Sequence, residues 1–201
     1  MSDFARDAER LKAAKVALRN RLLTARQSLS EAVRRSADAS VQASTITWVR
    51  AQQPTVCAAY APVGGEPGGR DLPDRLAEVC TVLLPVLLPD GDLDWAEYDG
   101  AARRTPRGLL EPGGPRLGPE AIARVPVIVV PALAVSRDGV RMGRGGGSYD
   151  RALSRARPAR TVALLHDGEL LDSVPAEPHD QRVGAVITPS GGLIESSGWT
   201  K

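Results

Sequence analysis

Aromatic residues are scarce: three Trp, three Tyr and one Phe make up 3% of the 201 residues. That argues against the stacking surfaces on which single-stranded nucleic acids are held. Cysteine occurs only as Cys57 and Cys80, each in apolar surroundings and in no metal-ligand spacing. The two read as reduced core residues of a cytosolic protein, not as a disulfide framework or a zinc site. The only histidines, His166 and His179, have no metal-ligand spacing either. Lysine is confined to Lys12, Lys15 and Lys201, and the net charge is a modest +2, which announces neither a nucleic acid nor a membrane partner. No apolar stretch is long enough to span a bilayer, and the N-terminal residues carry no apolar signal segment. A soluble, cytoplasmic protein of one domain (residues 1–201) is expected, long enough for a core of its own.

What is present is an alternation of helical and extended patterns. Residues 4–27 predict a helix, with Leu11, Leu18, Leu22 and Ala25 on one stripe. Lys15 and Arg19 lie four apart and share a face; from spacing alone the pair reads as a solvated charged edge. Ser30 predicts the N-cap of a second helix, which Pro54 stops near residue 52. Residues 55–63, 71–80 and 81–88 predict a β-α-β unit with a right-handed crossover, and residues 93–98 a short strand. The segment through Pro119 is rich in Pro, Gly and Arg and too long for an idle connector. Residues 125–135 form the most apolar run and predict the central strand, with Pro126 and Pro131 at its ends. Residues 161–166 and 185–188 predict two more strands, followed by a short C-terminal tail. The expected fold is a three-layer α/β/α sandwich: N-terminal helices over residues 4–52, an α/β core over 55–189, and a mostly parallel central sheet with ligand sites at the carboxyl ends of its strands.

The run from Arg141 to Asp150 follows the apolar strand and precedes a short helical pattern over residues 149–156. Strand, glycine-rich turn and helix start together make an anion site, where bare backbone N–H groups and a helix dipole converge. Arg141 and Arg144 add fork-shaped donors suited to phosphate oxygens. The loop matches neither the P-loop nor the dinucleotide fingerprint. No G-x-S-x-G elbow and no Cys/His pairing is present. Catalysis without a protein nucleophile implies positioning and charge neutralisation, as in phosphoryl transfer.

Residues 131–134 with Gly139, Arg141, Gly143, Gly147, Tyr149, Asp150 and Arg151 resemble the signature of the 5-formyltetrahydrofolate cyclo-ligase family. The resemblance extends to Lys15, Leu18 and Arg19, to Tyr60, Pro62 and Glu66, to Gly108, Glu111 and Pro112, and to Val174, Pro175, Glu177, His179 and Asp180. It implies an ATP- and Mg²⁺-dependent closure of 5-formyltetrahydrofolate to 5,10-methenyltetrahydrofolate, with release of ADP and phosphate. It further implies that Lys15 and Arg19 contact ATP and that Arg141, Met142, Gly143, Arg144, Gly145, Gly146, Gly147, Ser148 and Tyr149 wrap its phosphates. Lys15, Arg141 and Arg144 are the expected catalytic residues. Glu66 and residues 144–148 would meet the folate, and Asp150 and Asp180 would hold Mg²⁺. A monomer with no nucleic-acid or membrane partner is expected. A folate- or nucleotide-binding regulator with weak turnover is the alternative.

The chain departs from the family pattern at Ser148, where an aromatic is usual, at Gly69, where a threonine is common, and at Ser136, where an aspartate usually closes the strand. Restoring the ring with Ser148→Tyr is expected to lower the Michaelis constant for 5-formyltetrahydrofolate; an unchanged or higher value would count against placing Ser148 in the folate pocket.

Overall fold

Helix α1 (Asp3–Ser28) runs into α2 (Glu31–Gln52) across a cap that the sequence announces. The Ser30 hydroxyl accepts from Val33 N at 3.3 Å, and Glu31 lies in the positively polarised first turn. At the other end Gln53 adopts left-handed backbone ahead of Pro54, and its N–H closes on Arg50. The computed structural model describes residues 3–156, 158–178 and 180–197; His179 of the C-terminal motif and Lys201 lie outside the described residues.

The chain then builds strands β1 (Val56–Ala58), β2 (Thr81–Leu87), β3 (Leu93–Glu97), β4 (Ala102–Arg104), β5 (Leu110–Pro112), β6 (Val127–Pro131), β7 (Ala134–Ser136), β8 (Arg141–Met142), β9 (Arg160–Leu164), β10 (Leu170–Leu171), β11 (Ala185–Thr188) and β12 (Gly192–Glu195). Helices α3 (Leu72–Ala77) and α4 (Ser148–Arg155) and a 3₁₀ turn, Pro119–Arg124, lie between them. Seven strands make the main sheet, in the order β12-β11-β9-β6-β1-β2-β3. The five inner strands are parallel, while β3 and β12 run antiparallel at the edges. The β1-α3-β2 unit is parallel as expected.

Alternation along the inner strands loads both faces of the sheet. On one face Cys57, Val82, Val127, Val129, Val162 and Ile187 pack against Val41, Ile46, Val49, Leu72 and Leu76 of α2 and α3. On the other, Ala58, Leu83, Ile128, Val130, Ala163 and Val186 pack against Ala152 and Leu153 of α4 and Ile122 of the 3₁₀ turn. The expected three layers are therefore present. A third cluster joins Leu22 of α1 to Leu133, Ala134, Val140 and Met142 around the small sheet β10-β7-β8. Buried Arg26 fixes that contact: its guanidinium fork meets Glu169 at 2.7 and 2.8 Å and donates to Ala132 O at 2.6 Å.

Four expectations change. The apolar run 125–135 is not one strand: it divides after Pro131 into central β6 and β7, because a proline lacking its N–H ends the ladder. The strand expected over 55–63 pairs only over Val56–Ala58, and the remainder leads to the cavity described below. The C-terminal tail supplies β12, paired with β11 from Ala185↔Glu195 to Thr188↔Gly192. In α1, Ala25 is exposed; the inward stripe is Leu11, Lys15, Leu18, Leu22 and Arg26, with two cations on it. No helix of the described residues is long and apolar enough to cross a membrane.

Candidate active site

Where the parallel strands end, the chain leaves a cavity of about 280 Å³. Tyr60 and Ala61 follow β1, Pro85 and Leu87 belong to the end of β2, and Ala132 and Leu133 follow β6; all six line it. This is the crevice expected at the carboxyl ends of an open parallel sheet, and it lies by the point where strand order reverses, between β1 and β6. Every residue expected at the site from the sequence lines this one cavity: Lys15, Arg19, Glu66, residues 141–150 and Asp180. Leu87, Leu93, Leu109 and Leu110 supply an apolar wall that was not foreseen.

Lys15 is not on a solvated edge. It is 5% exposed, and its Nζ meets Glu177 Oε2 at 2.6 Å and Asp180 Oδ2 at 2.7 Å. Burial pulls the ammonium pKa down, but the hydrogen bonds and charges of Asp180 and Glu177 outweigh that and hold it above the ordinary lysine value. Lys15 therefore stays charged throughout the neutral range. Asp180 is itself fixed, accepting from Glu177 N at 2.7 Å while its own N donates to Glu177 O at 3.0 Å. One turn along α1, Arg19 Nε donates to Gly143 O at 3.0 Å. Its guanidinium carbon and nitrogens would lie 3.2–3.5 Å from a Cβ at Gly145, whose φ is +103°. Any side chain there would be strained and would crowd Arg19, so the glycine is required for the approach.

Arg141, also buried, donates from Nη2 to Asp150 Oδ1 at 2.7 Å and from Nη1 to Pro131 O at 3.3 Å. Its guanidinium carbon stands 5.8 Å from the centroid of the Tyr149 ring, a cation–π distance. Tyr149 is partly buried, desolvation pushes its phenol pKa up, and its hydroxyl, shielded from solvent, has no hydrogen-bond partner among the described residues. Gln181 N also donates to Asp150 Oδ1, at 3.2 Å, which brings the neighbourhoods of Asp150 and Asp180 together. On the opposite side, Glu66 Oε1 faces Arg144 Nε at 3.2 Å, and Oε2 accepts from Val63 N at 3.0 Å. Burial raises the Glu66 pKa; the Val63 N–H and the Arg144 charge offset this only in part.

Among the described residues no three His, Cys, Asp or Glu side chains converge as a self-contained metal cage. Asp150 and Asp180 nevertheless fit Mg²⁺, a hard cation that commonly takes one or two carboxylates and completes its shell with phosphate and water. The charge balance supports the same fit. Lys15, Arg19, Arg26, Arg141 and Arg144 line the cavity, matched by Glu66, Asp150 and Asp180 in the lining and by Glu169 and Glu177 behind it. A polyphosphate entering alone would meet carboxylates; one entering with a divalent cation would not.

The departures from pattern are now placed. Ser148 lines the cavity as the first residue of α4. Gly69 has φ +70°, and a Cβ at that position would stand 3.1–3.3 Å from Gln42, Asp71 and Asp38, so a branched residue would be strained in this backbone. Ser136 lies away from the cavity, accepting from Val140 N at 3.0 Å and donating to Asp138 in the β7–β8 turn. Arg26 was missed, although its place on the Leu11–Lys15–Leu18–Leu22 stripe is a usable signal.

A crevice at the ends of parallel strands, lined by a glycine turn, five cations and a group of leucines, is the kind of site in which an α/β enzyme takes a phosphate-bearing ligand and a partly apolar one. A model of the 5-formyltetrahydrofolate cyclo-ligase family matches residues 11–189. The 5-formyltetrahydrofolate cyclo-ligase of Mycolicibacterium smegmatis is 44% identical over 185 residues, covering 88% of this chain and 94% of that one. In fold, the chain is similar to the 5,10-methenyltetrahydrofolate synthetase of Aquifex aeolicus (TM-score 0.78, 24% identity, 93% and 95% of the two chains). It is also similar to that of Mycoplasma pneumoniae (TM-score 0.69, 18% identity, 86% and 96%). This chain belongs to the 5-formyltetrahydrofolate cyclo-ligase family.

Because the folded-state pKa of Glu66 is raised, the native protein holds an extra proton between the ordinary value of 4.5 and the raised one, and stability falls as pH rises through that window. Glu66→Gln carries no such penalty. Its melting temperature is expected to match wild type below pH 4.5 and to exceed it near neutrality; a variant less stable than wild type near neutrality would contradict the burial argument.

Proposed function

We propose that this chain catalyses the ATP-dependent closure of 5-formyltetrahydrofolate to 5,10-methenyltetrahydrofolate, releasing ADP and phosphate. One observation carries the reading: Lys15, Arg19, the 141–150 loop and Asp180 converge in one cavity that Glu66 and the leucines also line. A formyl amide is a poor electrophile, and its oxygen is a poor leaving group. Transfer of the γ-phosphoryl of ATP to that oxygen makes it leave as phosphate when N10 of the same folate attacks the formyl carbon. Both nucleophiles belong to the substrate, which accounts for the absence of a protein nucleophile.

The chain supplies position and charge. Lys15 and Arg19 reach the nucleotide from α1, and the backbone of residues 143–147 with Arg141 and Arg144 surrounds the transferring phosphoryl group. Residues 144–148 also face the formyl end, so the glycine turn is where the two substrates meet. Glu66, an anionic acceptor in a half-apolar pocket, takes the N–H donors of the pterin edge, and the leucine wall packs the flat part of the folate. Asp150 and Asp180 hold Mg²⁺, which supplies charge neutralisation at the phosphates. Arg141 keeps Asp150 oriented, and Lys15 does the same for Asp180. The exposed apolar residues Val16, Val33 and Leu193 come from separate elements and Leu117 from a connection, a scatter that supports a monomer with no membrane partner.

Purified protein mixed with 5-formyltetrahydrofolate, ATP and Mg²⁺ is expected to form the absorbing methenyl product and to stop when the metal is chelated. Lys15→Ala or Arg141→Ala should lower kcat/KM by roughly 10- to 100-fold, the worth of one or two charge-assisted hydrogen bonds. Binding of both substrates with no product at high protein concentration would replace the enzyme by the binding-regulator reading.

A further inference from the structure

The loop that carries Glu66 is secured to the rest of the molecule at few points. On its C-terminal side Tyr60 Oη donates to Pro67 O at 2.6 Å, Gln42 Nε2 donates to Gly68 O at 2.6 Å, and Gly68 N donates to Asp38 Oδ1 at 3.0 Å. On the N-terminal side, residues 61–65, one hydrogen bond from outside the loop is found among the described residues: His166 Nε2 lies 3.0 Å from Gly65 O. A carbonyl only accepts, so Nε2 is the donor in this contact, and in the neutral ring Nδ1 is then an acceptor. That Nδ1 is buried and has no partner among the described residues, in a residue 5% exposed. An unsatisfied buried acceptor costs stability, and an apolar side chain of similar size would remove the cost. The histidine is therefore explained by what Nε2 holds, not by how the ring packs.

His166 is itself anchored. Its backbone N donates to Glu169 Oε2 at 2.7 Å, and the same carboxylate is gripped by both arms of Arg26 on α1. Helix α1 also carries Lys15 and Arg19, so the reference point for the Glu66 loop is the helix that brings those two cations to the same cavity. Arg144, which meets Glu66 from the glycine turn, is half exposed, and an ion pair so exposed contributes little to holding the loop.

We propose that His166 is a positioning residue for the pterin-binding carboxylate: through Gly65 it sets the placement of Glu66 and thereby the affinity for the folate substrate, without touching the nucleotide. This rests on the reading of Glu66 as the folate contact. The test is steady-state kinetics and thermal melting of His166→Leu, which removes the donor, and His166→Gln, which keeps an N–H of similar reach. His166→Leu is expected to raise KM for 5-formyltetrahydrofolate about tenfold, the worth of one hydrogen bond. It should leave KM for ATP within about twofold, on the same energy scale, and should not lower the melting temperature. His166→Gln should return KM for the folate toward wild type. Equal rises in both Michaelis constants, no rise in either, or a rise that glutamine does not reverse would each overturn the proposal. His166→Phe is the second donorless variant; failure of both donorless variants to fold would make His166 a structural residue and overturn it as well. A wild-type protein that neither binds nor converts 5-formyltetrahydrofolate would remove the reading of the site and this inference with it, whereas an active wild type indistinguishable from His166→Leu would remove the inference alone.

Discussion

An ammonium group is buried at acceptable cost only where carboxylates meet it, and Lys15 is buried between Glu177 and Asp180. That contact joins residues more than 160 positions apart and sets one side of the cavity. With Arg26 and Glu169 further along the same helix face, it holds α1 against the carboxyl ends of the sheet through charge as well as through Leu22. Removing one member of such a buried pair typically costs about 3–5 kcal/mol, because the other charge is left uncompensated. The helix that presents Lys15 and Arg19 to the cavity is thus positioned by its own cations.

The remaining geometry follows from the parallel sheet. Strands that run the same way deliver their following loops to one end, so Tyr60, Leu87, Ala132 and His166 arrive together from distant parts of the sequence. Strand β8 and the glycine turn after it bring Arg141 and Arg144 to that end. Five cations then line the cavity, matched by three carboxylates in the lining and by Glu169 and Glu177 behind it. The ion pair with Asp150 fixes Arg141 in place before any ligand arrives.

Much of this was legible in the residues, and the failures have identifiable causes. The glycine turn could be read because strand, turn and helix each leave a local signature. Ser30 as a cap and Pro126 and Pro131 as strand ends were legible for the same reason. Lys15 was ambiguous, because spacing reports which residues share a face but not whether that face is covered. The Arg26–Glu169 pair was not seen: the helical stripe marks Arg26, but nothing local links it to a carboxylate 143 positions away. Nor did hydrophobicity reveal the break between β6 and β7, since Ala132 and Leu133 are as buried as the strands they separate. Strand β12 was lost because four residues alternating in exposure at the edge of a sheet resemble any polar tail.

The central claim is that Lys15 and Asp180 act as one unit at the phosphates, and a double-mutant cycle on kcat/KM measures that directly. Lys15→Ala, Asp180→Asn and the double variant would be compared with wild type in the formation of the methenyl product. The account predicts strong non-additivity, with the double variant within about threefold of the worse single variant. A double variant whose loss equals the product of the two single losses would show that the residues act independently and would contradict it.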